Sequence, residues 1–80
     1  MGMLRIMSKR GDDRLAWDAR RLAVGDPEAE AAVREAERIF QQERERGATA
    51  FKVDGGRSTR IDQFDRKAEQ IVLVPRVVGG

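Results

Sequence analysis

The sequence predicts a small α+β domain in which one helix covers a mixed β-sheet. Segments with alternating apolar residues stand near both ends of the chain, and one long amphipathic pattern separates them. A short run that is apolar on both faces follows close to the C-terminus. A chain of 80 residues has room for one hydrophobic core. We therefore expect one domain over residues 1–75 and a flexible tail over residues 76–80.

The N-terminal segment has the alternation of a β-hairpin. Leu4 and Ile6 share one face of an extended stretch, and Leu15 and Trp17 share a face of the next. The polar residues 9–13 between them contain a glycine and suit a turn. We expect Trp17 to pack in the core or at its rim, because no basic cluster free of acidic residues accompanies it for stacking on a nucleic-acid base.

The following segment, residues 19–25, leaves two alternatives open. It forms either a helical turn or a loop that carries Leu22 and Val24 under the fold. Arg20 and Arg21 are its most exposed-looking basic pair. A partner contact or plain solvation explains this pair better than a phosphate site does.

The clearest local pattern is the start of a helix at Pro27. Asp26 can cap free backbone N–H groups, Pro27 fits the first helical position, and Glu28 opposes the positive end of the helix dipole. Gly47 suits a left-handed cap, so the helix is expected over residues 27–46. Spacings of three and four residues define its apolar face: Ala29, Ala32, Val33, Ala36, Ile39 and Phe40.

Two strands are predicted directly after the helix, over residues 49–53 and 59–61, with a glycine-rich turn between them. Phe51 and Val53 alternate in the first of these strands, and we expect them to face inward. An irregular stretch follows, in which Phe64 is expected to tuck into the core.

The last strand differs from the others because four consecutive residues are apolar: Ile71, Val72, Leu73 and Val74. A strand that is apolar on both faces belongs in the middle of a sheet. Placed beside the first strand, it forms a parallel pair, and the order of elements becomes ββαββ. The competing arrangement, another small α+β sandwich with this strand at an edge, leaves the four apolar side chains poorly explained.

Composition argues against several classes of function. Sixteen Lys and Arg against fourteen Asp and Glu give a net charge of +2, a near-balance that does not predict a nucleic-acid partner. The lack of Cys and His removes thiol nucleophiles, the usual zinc ligands and the commonest general base, so we expect neither an enzyme nor a bound metal or cofactor. No apolar stretch has the length of a membrane span or signal peptide, so a soluble, cytoplasmic protein is expected.

Two short patterns resemble binding sites only superficially. Residues 55–58, Gly-Gly-Arg-Ser, lack the Lys-Ser/Thr ending and the following helix of a phosphate-binding loop, and a hairpin turn explains them better. The acidic pairs Asp12 with Asp13 and Asp62 with Asp65 lack a third ligand in register. We interpret these four residues as turn residues.

The sequence closes with an unusual set of residues: Pro75, Arg76, Val77, Val78, Gly79 and Gly80. Pro75 cannot donate to a sheet ladder, so the strand is expected to end there and residues 76–80 to project as a tail. A terminal carboxylate that must be adenylated and then attacked by sulfur has to thread a narrow channel to a partner's ATP. Two glycines can pass the narrowest point of such a channel because they have no Cβ atom.

Residues 69–80, Glu-Gln-Ile-Val-Leu-Val-Pro-Arg-Val-Val-Gly-Gly, and the order of elements resemble the ubiquitin-like β-grasp proteins. The resemblance is to the small subunit of molybdopterin synthase and the thiamine sulfur carrier in particular. In those families an acidic residue precedes an apolar strand, a proline follows it, and a diglycine ends the chain. Outside these residues the agreement is in architecture alone. Arg76 stands where molybdopterin-type members commonly carry a second proline, and the helix is longer and more charged than theirs.

The resemblance implies a ubiquitin-like β-grasp fold and a role as a small sulfur carrier or protein modifier. It implies that an E1-like adenylyltransferase uses ATP to form an acyl-adenylate at Gly80. A thiocarboxylate for a sulfur-accepting enzyme, or an isopeptide bond to a lysine of a target protein, would follow. Gly79 and Gly80 match the family's functional pair, and Arg76, Val77 and Val78 would contact the partner.

A different class of function remains open beside the carrier and modifier roles. The chain would then be a non-conjugating β-grasp module for protein–protein interaction. Its partner would bind the surface of the sheet, at residues such as Arg5, Arg14 or Lys52.

Overall fold

Five strands and two helices are present in residues 2–8 and 11–76, the part of the chain that the computed structural model describes. In chain order they are β1 (Gly2–Ser8), β2 (Gly11–Trp17), α1 (Ala19–Ala23), α2 (Pro27–Glu45), β3 (Thr49–Asp54), β4 (Arg57–Ile61) and β5 (Gln70–Val74). The α+β class, with a mixed sheet and one main helix, agrees with the prediction. The predicted order of elements, ββαββ, omits the short helix α1 and has two strands after α2, where the structure has three.

β5 lies at the centre of the sheet, whose strand order is β2-β1-β5-β3-β4. It runs parallel to β1, with Leu4 beside Ile71 and Ile6 beside Leu73. On its other side it runs antiparallel to β3, with Ala50 beside Leu73. The two hairpin partners, β2 and β4, form the edges. The predicted central position of the last strand and its parallel pairing with the first are confirmed.

α2 begins and ends with the capping chemistry predicted for it. The Asp26 carboxylate accepts hydrogen bonds from the backbone N–H groups of Glu28 at 2.8 Å and Ala29 at 3.4 Å. The helix ends at Glu45, one residue earlier than predicted, and Gly47 follows with a φ of +96°. That angle is in the left-handed region, which glycine adopts without a Cβ penalty.

The core lies between α2 and one face of the sheet. Its largest fully buried side chains are Phe40, Leu4, Ile71 and Leu73. Burial of each such side chain stabilises the fold by about 1.5–3 kcal/mol. All six positions of the predicted helix face contribute: Ala29, Val33, Ala36 and Phe40 are buried, and Ala32 and Ile39 pack partly buried against the core.

Three aromatic rings join β2, α2 and the segment 62–69. The ring centroid of Phe64 lies 5.8 Å from that of Trp17 and 5.7 Å from that of Phe40, which it meets edge-on. The indole of Trp17 covers the backbone of Gly2, where any Cβ would clash with it. The predicted core positions of Trp17 and Phe64 are confirmed.

The segment 62–69 runs along α2 and is fixed to it by an ion pair near each end. Arg44, in the last turn of α2, contacts Asp62 at 3.1 Å, and Arg66 contacts Glu30, in the first turn, at 3.1 Å. The irregular stretch therefore follows one defined path over the helix from its C-terminal end to its N-terminal end.

The prediction that Phe51 and Val53 face inward is wrong. Ala50 is the fully buried residue of β3, and it lies beside Leu73 under α2. Because side chains alternate along a strand, Phe51 and Val53 lie on the opposite face and are only half-buried. An alanine at this position lets the helix approach the sheet closely.

The prediction for residues 19–25 is partly confirmed. They contain the helical turn α1, and Leu22 packs partly buried against the core. Val24 does not lie under the fold, because it is 83% exposed. The reason is local: Val24 is the C-cap of α1, and the chain then turns at Gly25, with a φ of +77°, to reach the cap of α2.

Candidate functional site

The exit of the chain from the centre of the sheet is the site that the sequence singled out. Val74, the last residue of β5, lies beside Thr49, the first residue of β3, and Pro75 follows at once. Proline has no N–H to donate, so it cannot continue the ladder. The prediction that the strand ends at Pro75 is confirmed.

Arg76 lies against the loop that follows α2. A Cβ placed on Gly47 would be 3.1 Å from the Cδ atom of Arg76, so the aliphatic stem of Arg76 rests on the bare backbone of Gly47. The residue as a whole is exposed. Two neighbouring cations at this corner are paired, Arg44 with Asp62 at 3.1 Å and Arg46 with Glu43 at 3.6 Å.

The other predicted site residues lie outside the described residues: Val77, Val78, Gly79 and Gly80. Their roles as partner contacts and acyl donor stay predictions, as does the flexible tail over residues 76–80. What the structure defines is the base from which they continue. That base is the end of a strand held between β1 and β3, with Arg76 beside the loop between α2 and β3.

The face of the sheet opposite α2 carries a strip of half-buried apolar side chains, which we call the open face. The sheet register places Phe51 beside Val72 at its centre, and Val72 beside Arg5. Its apolar members come from β1, β3 and β5: Met3, Phe51, Val53, Val72 and Val74. This strip was not predicted, because Phe51 and Val53 were expected to face the core.

Arginines flank the open face on both sides. Arg5 and Arg14 are register partners on β1 and β2, and Arg60 on β4 lies beside Phe51. Lys52, which the sequence grouped with Arg5 and Arg14, belongs to the other face, where it lies beside Ile71. The structure therefore brings two of these three predicted contact residues together and separates the third.

Lys52 takes part in a polar cluster that fixes the segment 62–69. Its Nζ donates to the Asp65 carboxylate at 3.2 Å, and the backbone N–H of Lys67 donates to the same carboxylate at 2.9 Å. The Lys67 N–H first, and Lys52 after it, hold the pKa of Asp65 below its ordinary value. Nearby, the Asp54 carboxylate accepts the backbone N–H of Glu69 at 2.8 Å. These contacts serve the fold, since each carboxylate is occupied by a group of this chain.

The Gly55–Gly56 pair forms a hairpin turn between β3 and β4. Their φ angles are +55° and +79°, as a type I′ turn requires at its two central residues. A strand follows the pair, whereas a phosphate-binding loop leads into a helix. The prediction of a turn is confirmed.

In residues 2–8 and 11–76, no three metal-ligating side chains come together in a group that could hold an ion. Neither helix of that part of the chain has the length and apolar character needed to cross a membrane. Comparison of the chain with family models, with curated proteins and with solved structures gave no match.

Proposed function

We propose that this protein is a ubiquitin-like β-grasp carrier whose Gly80 carboxylate is activated by an E1-like adenylyltransferase with ATP. The activated protein acts as a sulfur carrier or as a modifier of other proteins. The observation that supports this most is the position of β5: it is the central strand, it runs parallel to β1, and Pro75 ends it. One main helix over a sheet of the order β2-β1-β5-β3-β4 is in keeping with a β-grasp.

Residues 76–80 start from a rigid base in this arrangement. β5 is hydrogen-bonded on both sides, and its Ile71 and Leu73 side chains are fully buried. A partner that binds residues 76–80 therefore does not need to order β5, the strand from which they continue. A smaller ordering cost leaves more of the contact energy for binding.

The proposed chemistry needs no catalytic side chain from this protein. The Gly80 carboxylate attacks the α-phosphorus of ATP, and pyrophosphate leaves. A sulfur nucleophile or a lysine amine then attacks the acyl carbon, and AMP leaves. A chain without Cys or His can take part because the reacting group is its own carboxylate. The protein is a substrate of the adenylating enzyme, and Arg76 supplies a cation for the partner at the base of the tail.

The open face favours a second candidate function, a protein–protein interaction module that is never conjugated. Half-buried Phe51 and Val72 lie side by side there, and Arg5 and Arg60 flank them. An apolar strip with a charged rim is a common form of protein interface.

Two variants separate these candidates. The protein without Gly80 keeps every ladder contact of β5, and Phe51→Ala alters the open face alone. Each is incubated with ATP in a lysate of the source cell, and covalent products and captured partners are analysed by mass spectrometry. Thermal unfolding checks that both variants remain folded.

The carrier proposal predicts that deletion of Gly80 abolishes the thiocarboxylate and any covalent adduct. The interaction module predicts instead that partner capture survives this deletion and fails in Phe51→Ala. If the intact protein gains neither sulfur nor an adduct while the adenylating enzyme is active on another substrate, the carrier proposal is wrong.

A further inference from the structure

A cleft of about 290 Å³ lies between α1 and the segment 62–69. Ala19, Leu22 and Ala23 line one side of it, and Arg66 and Lys67 line the other. The three α1 residues are spaced three and four apart, so they form one face of that helix. We call this feature the α1 cleft.

Apolar surface is exposed beside the α1 cleft. Val24, which directly follows α1, is 83% exposed and is one of two large hydrophobic residues that are exposed in the described part of the chain. Leu22 packs its inner side against the core and is itself only half-buried. Apolar groups gathered in a hollow on a charged surface are typical of a site that receives a partner's side chain.

The carboxylates near the α1 cleft are already engaged within the chain. Asp18 accepts hydrogen bonds from the backbone N–H groups of Arg20 and Arg21, and Glu30 accepts two from Arg66, at 3.1 and 3.2 Å. Asp65 is occupied by Lys52 and by the backbone of Lys67. The side chains that line the cleft carry two cations, Arg66 and Lys67, and no carboxylate. Arg66 is paired with Glu30, whereas Lys67 has no ion pair within 4 Å in the described part of the chain.

We propose that the α1 cleft docks an extended segment of a partner protein in which a bulky aliphatic residue is flanked by carboxylates. The aliphatic side chain fills the hollow over Ala19, Leu22 and Ala23, and the flanking carboxylates pair with Arg66 and Lys67. Charge complementarity selects an acidic segment. A peptide is favoured over a lipid surface because the apolar groups line a hollow, whereas membrane binding needs a broad apolar helix face.

The α1 cleft is separate from the exit of β5. It lies at the N-terminal end of α2, where Arg66 contacts Glu30, while Arg76 lies on Gly47 beyond the C-terminal end. The 19 residues of α2 span about 28 Å between these ends. Docking at the cleft is therefore independent of activation at Gly80, and the two proposals can be tested separately.

The test uses three capped hexapeptides titrated into the ¹⁵N-labelled full chain, with amide chemical shifts as the readout. The probe is Asp-Glu-Leu-Leu-Glu-Asp, and the matched peptides are Asp-Glu-Ser-Ser-Glu-Asp and Lys-Lys-Leu-Leu-Lys-Lys. We expect saturable shifts at Ala19, Leu22, Ala23 and Lys67 with the probe, and at least tenfold weaker binding of both matched peptides.

Two variants place an opposing charge at the cleft, Ala19→Glu at its wall and Lys67→Glu at its rim. Both positions are exposed, and a glutamate suits the first turn of a helix, so the fold should persist. Each variant should weaken probe binding at least tenfold, while Arg57→Glu on β4 should leave it unchanged. Thermal unfolding shows whether each variant is folded. If Ala19→Glu is unfolded, probe binding by Lys67→Glu alone serves as the test.

Three results would overturn the proposal. The first is the absence of saturable shifts with the probe, and the second is a set of shifts centred outside the cleft. The third is binding of vesicles that contain phosphatidylserine at Val24 and Leu22 with no response to the probe, which would assign the surface to a membrane.

Discussion

Leu4 and Ile71 are neighbours in the parallel register of β1 and β5, and neither side chain is exposed to solvent. The pair joins the first strand of the chain to the last one beneath α2. Parallel strands cannot be joined by a tight turn, and α2 and the β3–β4 hairpin lie between β1 and β5 in the chain. The contact between Leu4 and Ile71 therefore joins residues that are far apart in the sequence. The core is therefore complete only when β5 is in place, which makes the C-terminal strand essential to the fold.

We predict that Leu73→Ala lowers the free energy of unfolding by about 2–5 kcal/mol, because Leu73 is fully buried and its removal leaves a cavity under α2. Urea unfolding followed by Trp17 fluorescence measures the loss. Val24→Ala is the control, since an 83% exposed side chain should change stability by less than about 0.5 kcal/mol. Equal effects of the two substitutions would contradict the central position of β5.

A second prediction concerns the contact between Gly47 and Arg76. Gly47→Ala should cost about 1–2 kcal/mol for a left-handed φ, plus a further term because the new Cβ meets the Arg76 stem. Gly25→Ala is the matched control, with a φ of +77° and no atom within 4 Å. Adding Arg76→Ala to Gly47→Ala should remove the excess over this control. A double-mutant cycle without that recovery would show that Arg76 does not rest on Gly47 in solution.

The third prediction is a dependence of stability on pH through Asp65. Its pKa is below the ordinary 3.8 in the folded state, so the ionised carboxylate stabilises the fold. This contribution is present above the unfolded-state pKa and is lost as the pH falls through the folded-state pKa. Asp65→Asn should therefore weaken the decline of stability between neutral and acidic pH.

Urea unfolding at a series of pH values measures this change in slope. Some decline should remain in Asp65→Asn, because the pKa values of Asp18 and Glu35 are lowered too. Ser58→Ala, a neutral change on the exposed strand β4, should leave the slope as it is in the original protein. An unchanged slope in Asp65→Asn would show that the Lys67 and Lys52 contacts do not form in solution.

Much of the fold is predictable from local patterns. The cap at Asp26 and the apolar stripe from Ala29 to Phe40 define α2, and four consecutive apolar residues place β5 at the centre. These patterns succeed because capping and amphipathic spacing act within a few residues of each other.

The face of β3 was not predictable in the same way. Phe51 and Val53 are larger and more hydrophobic than Ala50, yet Ala50 is the buried residue. The distance between α2 and the sheet decides which face of β3 is buried. That distance depends on packing between elements that are far apart in the sequence. The α1 cleft was missed for a similar reason, because its two sides are far apart in the sequence. The one available signal was that Ala19, Leu22 and Ala23 are spaced as on one face of a helix.

The most direct measurement of the proposed function is the chemical state of Gly80 in protein isolated from its own cells. Trypsin cleaves after Arg76 and releases Val77–Gly80, whose C-terminus is then identified by mass spectrometry. We predict that part of this peptide carries a thiocarboxylate, or is joined through Gly80 to a lysine of another protein. Finding only the free carboxylate, or a peptide that continues beyond Gly80, while the adenylating enzyme is active would contradict a carrier or modifier role.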